Sequence, residues 1–177
     1  MQNDFSQILV TEEEIDKTVR RMADEISRDY EGKNLVLLGI LKGSVVFMGD
    51  LMKRLSIPVQ IDFMKVSSYG TGTVSSGHVD IILDIRRKNL ADCDILIVED
   101  IIDSGRTLSY LAKYLRDKGA RSVKTCTMLD KPSRREVEFV PDYVGKQIPD
   151  EFVDIPMDSL LIEQVLLNLL ENAVFHA

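Results

Sequence analysis

Apolar residues follow two different rhythms along this chain, and the two rhythms alternate. Continuous apolar runs of strand length stand at 35–41 and 95–98, and 123–129 alternates in the manner of a strand. Helical spacing begins after Thr11, after Ser44 and at Leu108. Continuous runs are typical of strands buried on both faces, and a 3.6-residue period is typical of amphipathic helices. The pattern predicts helices over 11–32, 45–55 and 108–119, and strands over 35–41, 58–66, 78–85, 95–98 and 123–129, with short strands within 137–150.

The alternation of strands and helices predicts the fold class. Thr11 followed by Glu14 forms a capping box that starts the first helix, and Gly119 supplies the stop of the third predicted helix. Strands that alternate with helices indicate an α/β domain with a mostly parallel central sheet flanked by helices. The N-terminal helix and the segment after Lys131 are expected to form a small second layer, which we call the hood.

Composition narrows the possible partners. The chain has 177 residues, of which 45% are hydrophobic and 29% charged, with a formal net charge of −7. This balance is typical of a soluble domain and argues against nucleic-acid or anionic-membrane binding. An anionic substrate must therefore be held by locally placed cations. The candidates follow predicted strands, and they are Lys42, Lys131, Arg134 and Arg135.

The cysteines and the apolar runs bear on the compartment. Cys93 and Cys126 lack metal-ligand spacing, and Cys126 falls in a predicted strand. We expect a reduced cytoplasm without a disulfide. No targeting segment is recognisable near the N-terminus. A membrane span needs about 20 apolar residues, and polar residues interrupt the C-terminal run at Glu163, Gln164, Asn168 and Glu171.

The stretch 95–108, ILIVEDIIDSGRTL, carries the strongest chemical signal. A buried strand ends on Glu99 and Asp100, and Ser104, Gly105 and Thr107 stand where a helix begins. A helix N-terminus offers free N–H groups and a positive dipole to a phosphate, while carboxylates suit sugar hydroxyls or Mg²⁺. The combination predicts a phosphorylated sugar as ligand. The simpler alternative is a solvated acidic pair followed by Ser104 as an ordinary N-cap.

These residues resemble a known family. VEDIIDSGRTL is similar to the phosphoribosyl-diphosphate signature of the type I phosphoribosyltransferases, and 5–153 resembles the bacterial hypoxanthine (hypoxanthine-guanine) branch. The resemblance implies the type I phosphoribosyltransferase fold over 1–153, core plus hood, with 154–177 as an atypical helical tail rather than an independent domain.

The resemblance also implies roles for particular residues. Asp103 is expected to be the general base, and Glu99 and Asp100 are expected to hold Mg²⁺ or sugar hydroxyls. Phosphoribosyl diphosphate is expected to bind Lys42, Gly43, Asp103, Ser104, Gly105, Arg106, Thr107 and Arg135, with Arg134 as a competitor of Arg135. The alternative for Lys42 is a solvent-facing lysine in a left-handed turn. Ser68 and Tyr69 are expected to belong to a lid within 67–77, and Lys131, Phe152 and Val153 to contact the purine.

The implied activity is purine salvage. The expected reaction is a pentosyl (glycosyl) transfer from 5-phosphoribosyl 1-diphosphate to hypoxanthine or guanine, yielding IMP or GMP and diphosphate, with Mg²⁺ as cofactor. The family resemblance also implies a homodimer or homotetramer, with no nucleic-acid or membrane partner.

The tail departs from the family pattern. Ser159 and Val165 stand where the family has Asp and Arg, and Asp158 is offset from the first of these by one residue. LIEQVLLNLLENAVFHA resembles the N-box helix of sensor histidine kinases, with Asn168 and Asn172 matching its two asparagines, so the C-terminus looks like a hybrid. This helix without its glycine-rich boxes and sheet does not predict kinase activity. The departure leaves a second interpretation, a phosphoribosyl-diphosphate- or nucleotide-binding module with weak or no catalysis.

Overall fold

Helices and strands alternate along the described chain, as the hydrophobic pattern predicts. The computed structural model describes residues 10–68 and 79–149, which belong to one compact unit, Val10–Asp150. The helices are α1 (Glu12–Asp29), α2 (Ser44–Met52) and α3 (Arg106–Asp117), with a 3₁₀ helix over Pro132–Arg134. The strands are β1 (Leu35–Leu41), β2 (Gln60–Ser68), β3 (Val79–Leu83), β4 (Asp94–Ile102), β5 (Ser122–Asp130) and β6 (Tyr143–Gln147).

Six strands form one mostly parallel sheet. Their order is β3-β2-β1-β4-β5-β6, and only β3 runs antiparallel to its neighbour among these strands. The two central strands carry the continuous apolar runs: β1 is buried from its first residue to Ile40, and β4 from Asp94 to Val98. Burial on both faces removes the selection for polar residues at alternate positions. The predicted fold class is confirmed.

Helices cover both faces of the sheet. On one face, α3 buries Leu108, Leu111, Ala112 and Leu115 against a core that includes alternate residues of β1 and β4, such as Val36 and Ile97. On the other face, α2 packs against β1 and β4, and a Cβ at Gly39 would meet Met48 Sδ of α2 at 2.7 Å. The absence of a side chain at Gly39 lets α2 lie close to the sheet.

The first helix forms as its capping signal predicts. Thr11 Oγ1 accepts a hydrogen bond from the Glu14 N–H at 3.3 Å, and Glu14 Oε2 accepts from the Thr11 N–H at 2.8 Å. Arg21 of this helix donates to the carbonyls of Val144 and Gly145 at 2.9 and 3.0 Å. The helix thereby joins the strand β6, which follows the Lys131 segment, so the two parts of the predicted hood are in contact.

Most predicted element ends shift by up to three residues, and two predictions of strand extent were wrong. β4 does not end before Glu99 but continues to Ile102, because its ladder with β5 runs on to the pair of Ile102 with Asp130. Of the short strands expected within 137–150, the described residues up to 149 form one, β6. It begins at Tyr143, because one position earlier the Asp142 carboxylate, rather than a backbone carbonyl, accepts from the Thr125 N–H at 2.8 Å. At this position a side-chain acceptor replaces the backbone carbonyl that would continue the pairing of β5 with β6.

Two further sequence expectations concern the cysteines and the membrane. Cys93 and Cys126 are buried thiols, and Cys126 lies within β5 as predicted. Across residues 10–68 and 79–149, no helix has the length and apolar character needed to cross a membrane.

Candidate functional site

Three loops meet where the strands β1, β4 and β5 end. After β1 the chain continues to β2 on one side of the sheet, whereas after β4 it continues to β5 on the other side. Such a reversal of strand order opens a crevice at the carboxyl ends of the strands, where ligands of open α/β sheets bind. The loop residues 42–43, 103–107 and 131–136 surround this position, and most of the sequence-predicted site residues lie in them.

The first loop, between β1 and α2, contains Lys42 and Gly43, both exposed. The peptide bond between Leu41 and Lys42 is cis. Gly43 adopts a right-handed conformation, with φ −56° and ψ −43°, so it does not form a left-handed turn, whereas the solvent exposure that the alternative expects of Lys42 is present. A Cβ on Gly43 would collide with the Asp100 carboxylate. Glycine is therefore needed here for close approach of the first loop to β4.

The second loop, between β4 and α3, has the geometry of an anion-binding turn. Gly105, rather than Ser104, is the N-cap of α3, and its φ of 77° is the left-handed conformation that favours glycine. Within the described part of the chain, the N–H groups of Ser104 and Gly105 have no hydrogen-bond partner. Free N–H groups at a helix N-terminus and its positive dipole attract a phosphate.

The two carboxylates at the end of β4 form a desolvated acidic pair. Burial and, secondarily, the charge of Asp100 raise the pKa of Glu99 to about 8. Burial also raises the pKa of the Asp100 carboxyl above its usual range, although a hydrogen bond from the Ile101 N–H at 2.9 Å opposes this. Glu99 Oε2 is buried without a hydrogen-bond partner among the described groups. A cation or a hydroxyl donor would satisfy it.

This acidic pair fits Mg²⁺ of the kind that binds together with a phosphorylated substrate. Among residues 10–68 and 79–149, no group of three or more acidic, histidine or cysteine side chains is arranged to hold a metal ion. Mg²⁺ commonly uses one or two carboxylates, with water and substrate phosphates completing its six oxygens. Glu99 and Asp100 are the carboxylates available for that mode of binding.

The third loop follows β5 and packs directly on the second. The Lys131 N–H donates to the Ile102 carbonyl at 2.9 Å, and the Glu136 N–H donates to the Ser104 carbonyl at 3.0 Å. Arg106 Nε also donates to Glu136 Oε2 at 2.5 Å. The Lys131 segment and the anion-binding turn are thus one hydrogen-bonded unit.

Two residues that the sequence analysis did not select belong to this unit. Asp130, only 4% exposed, is paired with the Arg135 guanidinium, and Arg135 Nη1 donates to the Asp103 carbonyl at 2.6 Å. Glu136 is the other missed residue. An acidic residue at the end of an apolar strand and an arginine five residues later were the available signal for the Asp130–Arg135 pair.

Comparisons with known proteins show the family. A family model described as the phosphoribosyl transferase domain matches residues 7–159. The chain is 46% identical over 153 residues to a hypoxanthine-guanine phosphoribosyltransferase of Staphylococcus aureus, and the match covers 86% of this chain and 85% of that protein. This chain belongs to the hypoxanthine-guanine branch of the phosphoribosyltransferase family. The predicted family is confirmed.

Further relatives support the family assignment, one by its structure and one by its sequence. A crystal structure of a hypoxanthine phosphoribosyltransferase from S. aureus superposes with a TM-score of 0.81 at 45% identity, covering 85% of this chain and 81% of that one. A bifunctional protein TilS/HprT of Listeria monocytogenes is 49% identical over 153 residues, 86% of this chain. The present chain spans about a quarter of that protein, 24% of its length.

Some predicted residues of this phosphoribosyltransferase lie outside the described ranges. Ser68 is the last residue of β2, which runs parallel beside β1, so the predicted lid begins at the edge of the sheet that carries the three loops. Tyr69, Phe152 and Val153 lie outside the described residues, as does the whole tail with Ser159, Val165, Asn168 and Asn172. Their roles stay predictions.

Proposed function

We propose that this chain is a purine-salvage enzyme that transfers the 5-phosphoribosyl group of phosphoribosyl diphosphate to N9 of hypoxanthine or guanine. The products are IMP or GMP and diphosphate. One observation carries the proposal: an anion-binding turn, a half-buried acidic pair and Lys131 lie together at a single reversal of the strand order. These are the groups needed to bind a phosphate, a ribose and a 6-oxopurine, respectively.

The two phosphate-bearing ends of the substrate would bind on different loops. The N–H groups and hydroxyls of 104–107 hold the 5-phosphate, while Lys42 and the backbone at Gly43 hold the diphosphate. The loops border the same acidic pair, since Gly43 lies against Asp100 and the anion-binding turn begins directly after β4. The ribose is thereby fixed between them, and fixing both ends orients C1 for attack.

The acidic pair stabilises the ribose as its bond to diphosphate breaks. Departure of diphosphate leaves positive charge on the sugar. A bound cation and the developing charge lower the raised pKa values of Glu99 and Asp100, and as carboxylates these half-buried side chains stabilise the charge. They also accept hydrogen bonds from the 2- and 3-hydroxyls or bind Mg²⁺. When bound, Mg²⁺ neutralises charge on the leaving diphosphate.

Recognition and deprotonation of the purine complete the reaction. The bond from N9 to C1 forms as the C1–O bond breaks, and Asp103 takes the proton from N7. Asp103 is exposed, in the loop between β4 and α3. The Lys131 ammonium donates to the 6-oxo group, which selects hypoxanthine or guanine over adenine because an ammonium has no acceptor for an amino group. Phe152 and Val153 contact the base, and a lid with Ser68 and Tyr69 excludes water.

The compartment, the oligomeric state and the domain organisation are inferred from the family. We infer a cytoplasmic homodimer or homotetramer, in which residues 1–153 form the phosphoribosyltransferase domain and 154–177 a helical tail. Light scattering after size-exclusion chromatography measures the oligomeric state, and a monomer at micromolar concentration would contradict this part of the proposal. The net charge of −7 supports the absence of a nucleic-acid partner.

A spectrophotometric assay tests the activity. Nucleotide formation from phosphoribosyl diphosphate and Mg²⁺ is followed with hypoxanthine, guanine and adenine, for the native chain and for a chain with the expected family tail in place of 154–177. Turnover with the 6-oxopurines, and none with adenine, is expected. Absence of turnover from both chains, with both folded, would refute the proposal.

A second candidate function is ligand binding without efficient turnover. It is favoured by Ser159 and Val165, which stand where the family has Asp and Arg. Calorimetric titration with phosphoribosyl diphosphate distinguishes the two. Tight binding by the native chain, with turnover only after the tail is replaced, would support the binding module.

A further inference from the structure

Arg135 is engaged with protein groups on two sides. Its guanidinium pairs with the Asp130 carboxylate and donates from Nη1 to the Asp103 carbonyl at 2.6 Å. The pair is shielded from water, with side-chain exposures of 14% for Arg135 and 4% for Asp130. A guanidinium presents its donors as a rigid fork, so a fixed carboxylate on one side fixes the position of the carbonyl on the other.

The held carbonyl determines where the next N–H points. A trans peptide unit is planar, and its C=O and N–H point in opposite directions. The bond from Arg135 to the Asp103 carbonyl therefore turns the Ser104 N–H away from the third loop. In the same way, the bond from the Glu136 N–H to the Ser104 carbonyl, 3.0 Å long, turns the Gly105 N–H away from the third loop. These are the two unpartnered N–H groups of the anion-binding turn.

The stem of Arg135 lies across Gly105. A Cβ at Gly105 would come within 2.8 Å of Arg135 Cδ and 3.4 Å of Val137 Cγ2. The arginine therefore contacts the turn from outside as well as holding its first carbonyl. Gly105 is required by this contact as well as by its φ of 77°.

We propose that Arg135, anchored by Asp130, is a positioning residue that orients the Ser104 and Gly105 N–H groups toward the 5-phosphate. This role rests on the proposed function and differs from the direct diphosphate contact that the family resemblance implies for Arg135. The arginine acts through the backbone of the turn and touches no part of the substrate.

Binding of two fragments separates the two roles. Ribose 5-phosphate probes the turn, and inorganic diphosphate with Mg²⁺ probes the first loop. Arg135→Lys keeps a charge beside Asp130, but one ammonium cannot span both acceptors. Asp130→Asn/Arg135→Met removes the fork without leaving a buried carboxylate unpaired. The controls are Arg121→Lys and Asp94→Asn, because the more exposed Arg121 also pairs with a buried carboxylate, Asp94, but at the opposite end of β4.

The positioning role predicts that the Arg135 variants weaken the binding of one fragment and not of the other. In both Arg135 variants, the Kd of ribose 5-phosphate and kcat should each worsen by about tenfold or more, the scale for losing a hydrogen bond to a charged group. The Kd of diphosphate should change less than twofold, and neither control should alter either Kd. An equal loss for diphosphate would overturn the proposal, as would a fall in melting temperature alone, shared with the controls.

Hydrogen exchange supplies a readout that does not depend on catalysis. The Glu136 amide, which donates to the Ser104 carbonyl, should exchange about tenfold faster in Arg135→Lys than in the native chain, and not in Arg121→Lys. If the native chain and the chain with the family tail both lack turnover, the proposed function fails while this measurement still decides the positioning role. Unchanged exchange of the Glu136 amide would overturn the positioning role even in an active enzyme.

Discussion

The acidic pair should destabilise the protein in the absence of its ligands, and Glu99→Gln should relieve that cost. Burial and the neighbouring Asp100 raise the pKa of Glu99 from 4.5 to about 8 in the folded protein. Between these two values the folded state keeps a proton that the unfolded chain releases. The folded state therefore loses stability as the pH rises through this window, by about 1.4 kcal/mol per pH unit. The Asp100 carboxyl, with its raised pKa, acts in the same direction.

The pKa shift of Glu99 sets the size of the stability change. At pH 7 the neutral Glu99 side chain costs the fold about 3 kcal/mol relative to an unfolded chain in which it is ionised. Glutamine cannot ionise, so it removes this cost, although its amide in the same place leaves a polar group without a partner at about 1 kcal/mol. The expected net gain is about 2 kcal/mol, or roughly 6 °C in melting temperature for a chain of this size.

Urea unfolding from pH 5.5 to 8.5, without Mg²⁺ or phosphoribosyl diphosphate, measures the effect. The native chain should lose stability steadily as the pH rises, and Glu99→Gln should show a flatter profile and a clear advantage at pH 8. Glu31→Gln, at an exposed position after α1, is the matched control and should follow the native profile. Equal stability of the native chain at pH 6 and pH 8, or a less stable Glu99→Gln at pH 8, would refute the reasoning.

The same substitution should weaken function. Glu99→Gln removes a carboxylate that is proposed to bind Mg²⁺ or the ribose hydroxyls, so its Kd for phosphoribosyl diphosphate should rise as its stability rises. Opposite changes in stability and binding are typical of a site that is strained for function.

Four other substitutions test separate parts of the site and the fold. Asp103→Asn should lower kcat by about a hundredfold or more, as expected for loss of a general base, with little change in phosphoribosyl-diphosphate affinity; equal losses would contradict the base role. Gly43→Ala should raise the KM for phosphoribosyl diphosphate, since its Cβ collides with Asp100; unchanged kinetics would exclude close approach at this point. Lys131→Met should raise the KM for hypoxanthine about tenfold or more, the scale of a lost charged hydrogen bond, without affecting that for phosphoribosyl diphosphate; parallel rises would argue against a purine contact. Thr11→Ala should cost about 1 kcal/mol in urea unfolding, because it removes the N-cap of α1, and leave kcat unchanged; an altered kcat would show that α1 influences the site.

The hydrophobic pattern determined the strands, the helices and the fold class. Burial on both faces leaves a continuous apolar run in β1, and burial on one face leaves a helical period in α3, so local sequence reports how each segment packs. It also placed the acidic pair, the anion-binding turn and Lys131 at the ends of parallel strands, which meet at one edge of any such sheet. The order of residues in 98–108 was sufficient to identify the family.

Only the tertiary structure decided how these groups act on one another. The contact of Gly43 with Asp100, and the bond from Arg135 to the Asp103 carbonyl across 32 positions, join segments whose separation along the chain carries no local signal. The pKa of Glu99 depends on burial by surrounding segments, and the extension of β4 to Ile102 depends on hydrogen bonds offered by β5. Periodicity describes a segment by itself, whereas these properties belong to pairs of segments, and folding alone brings the pairs together.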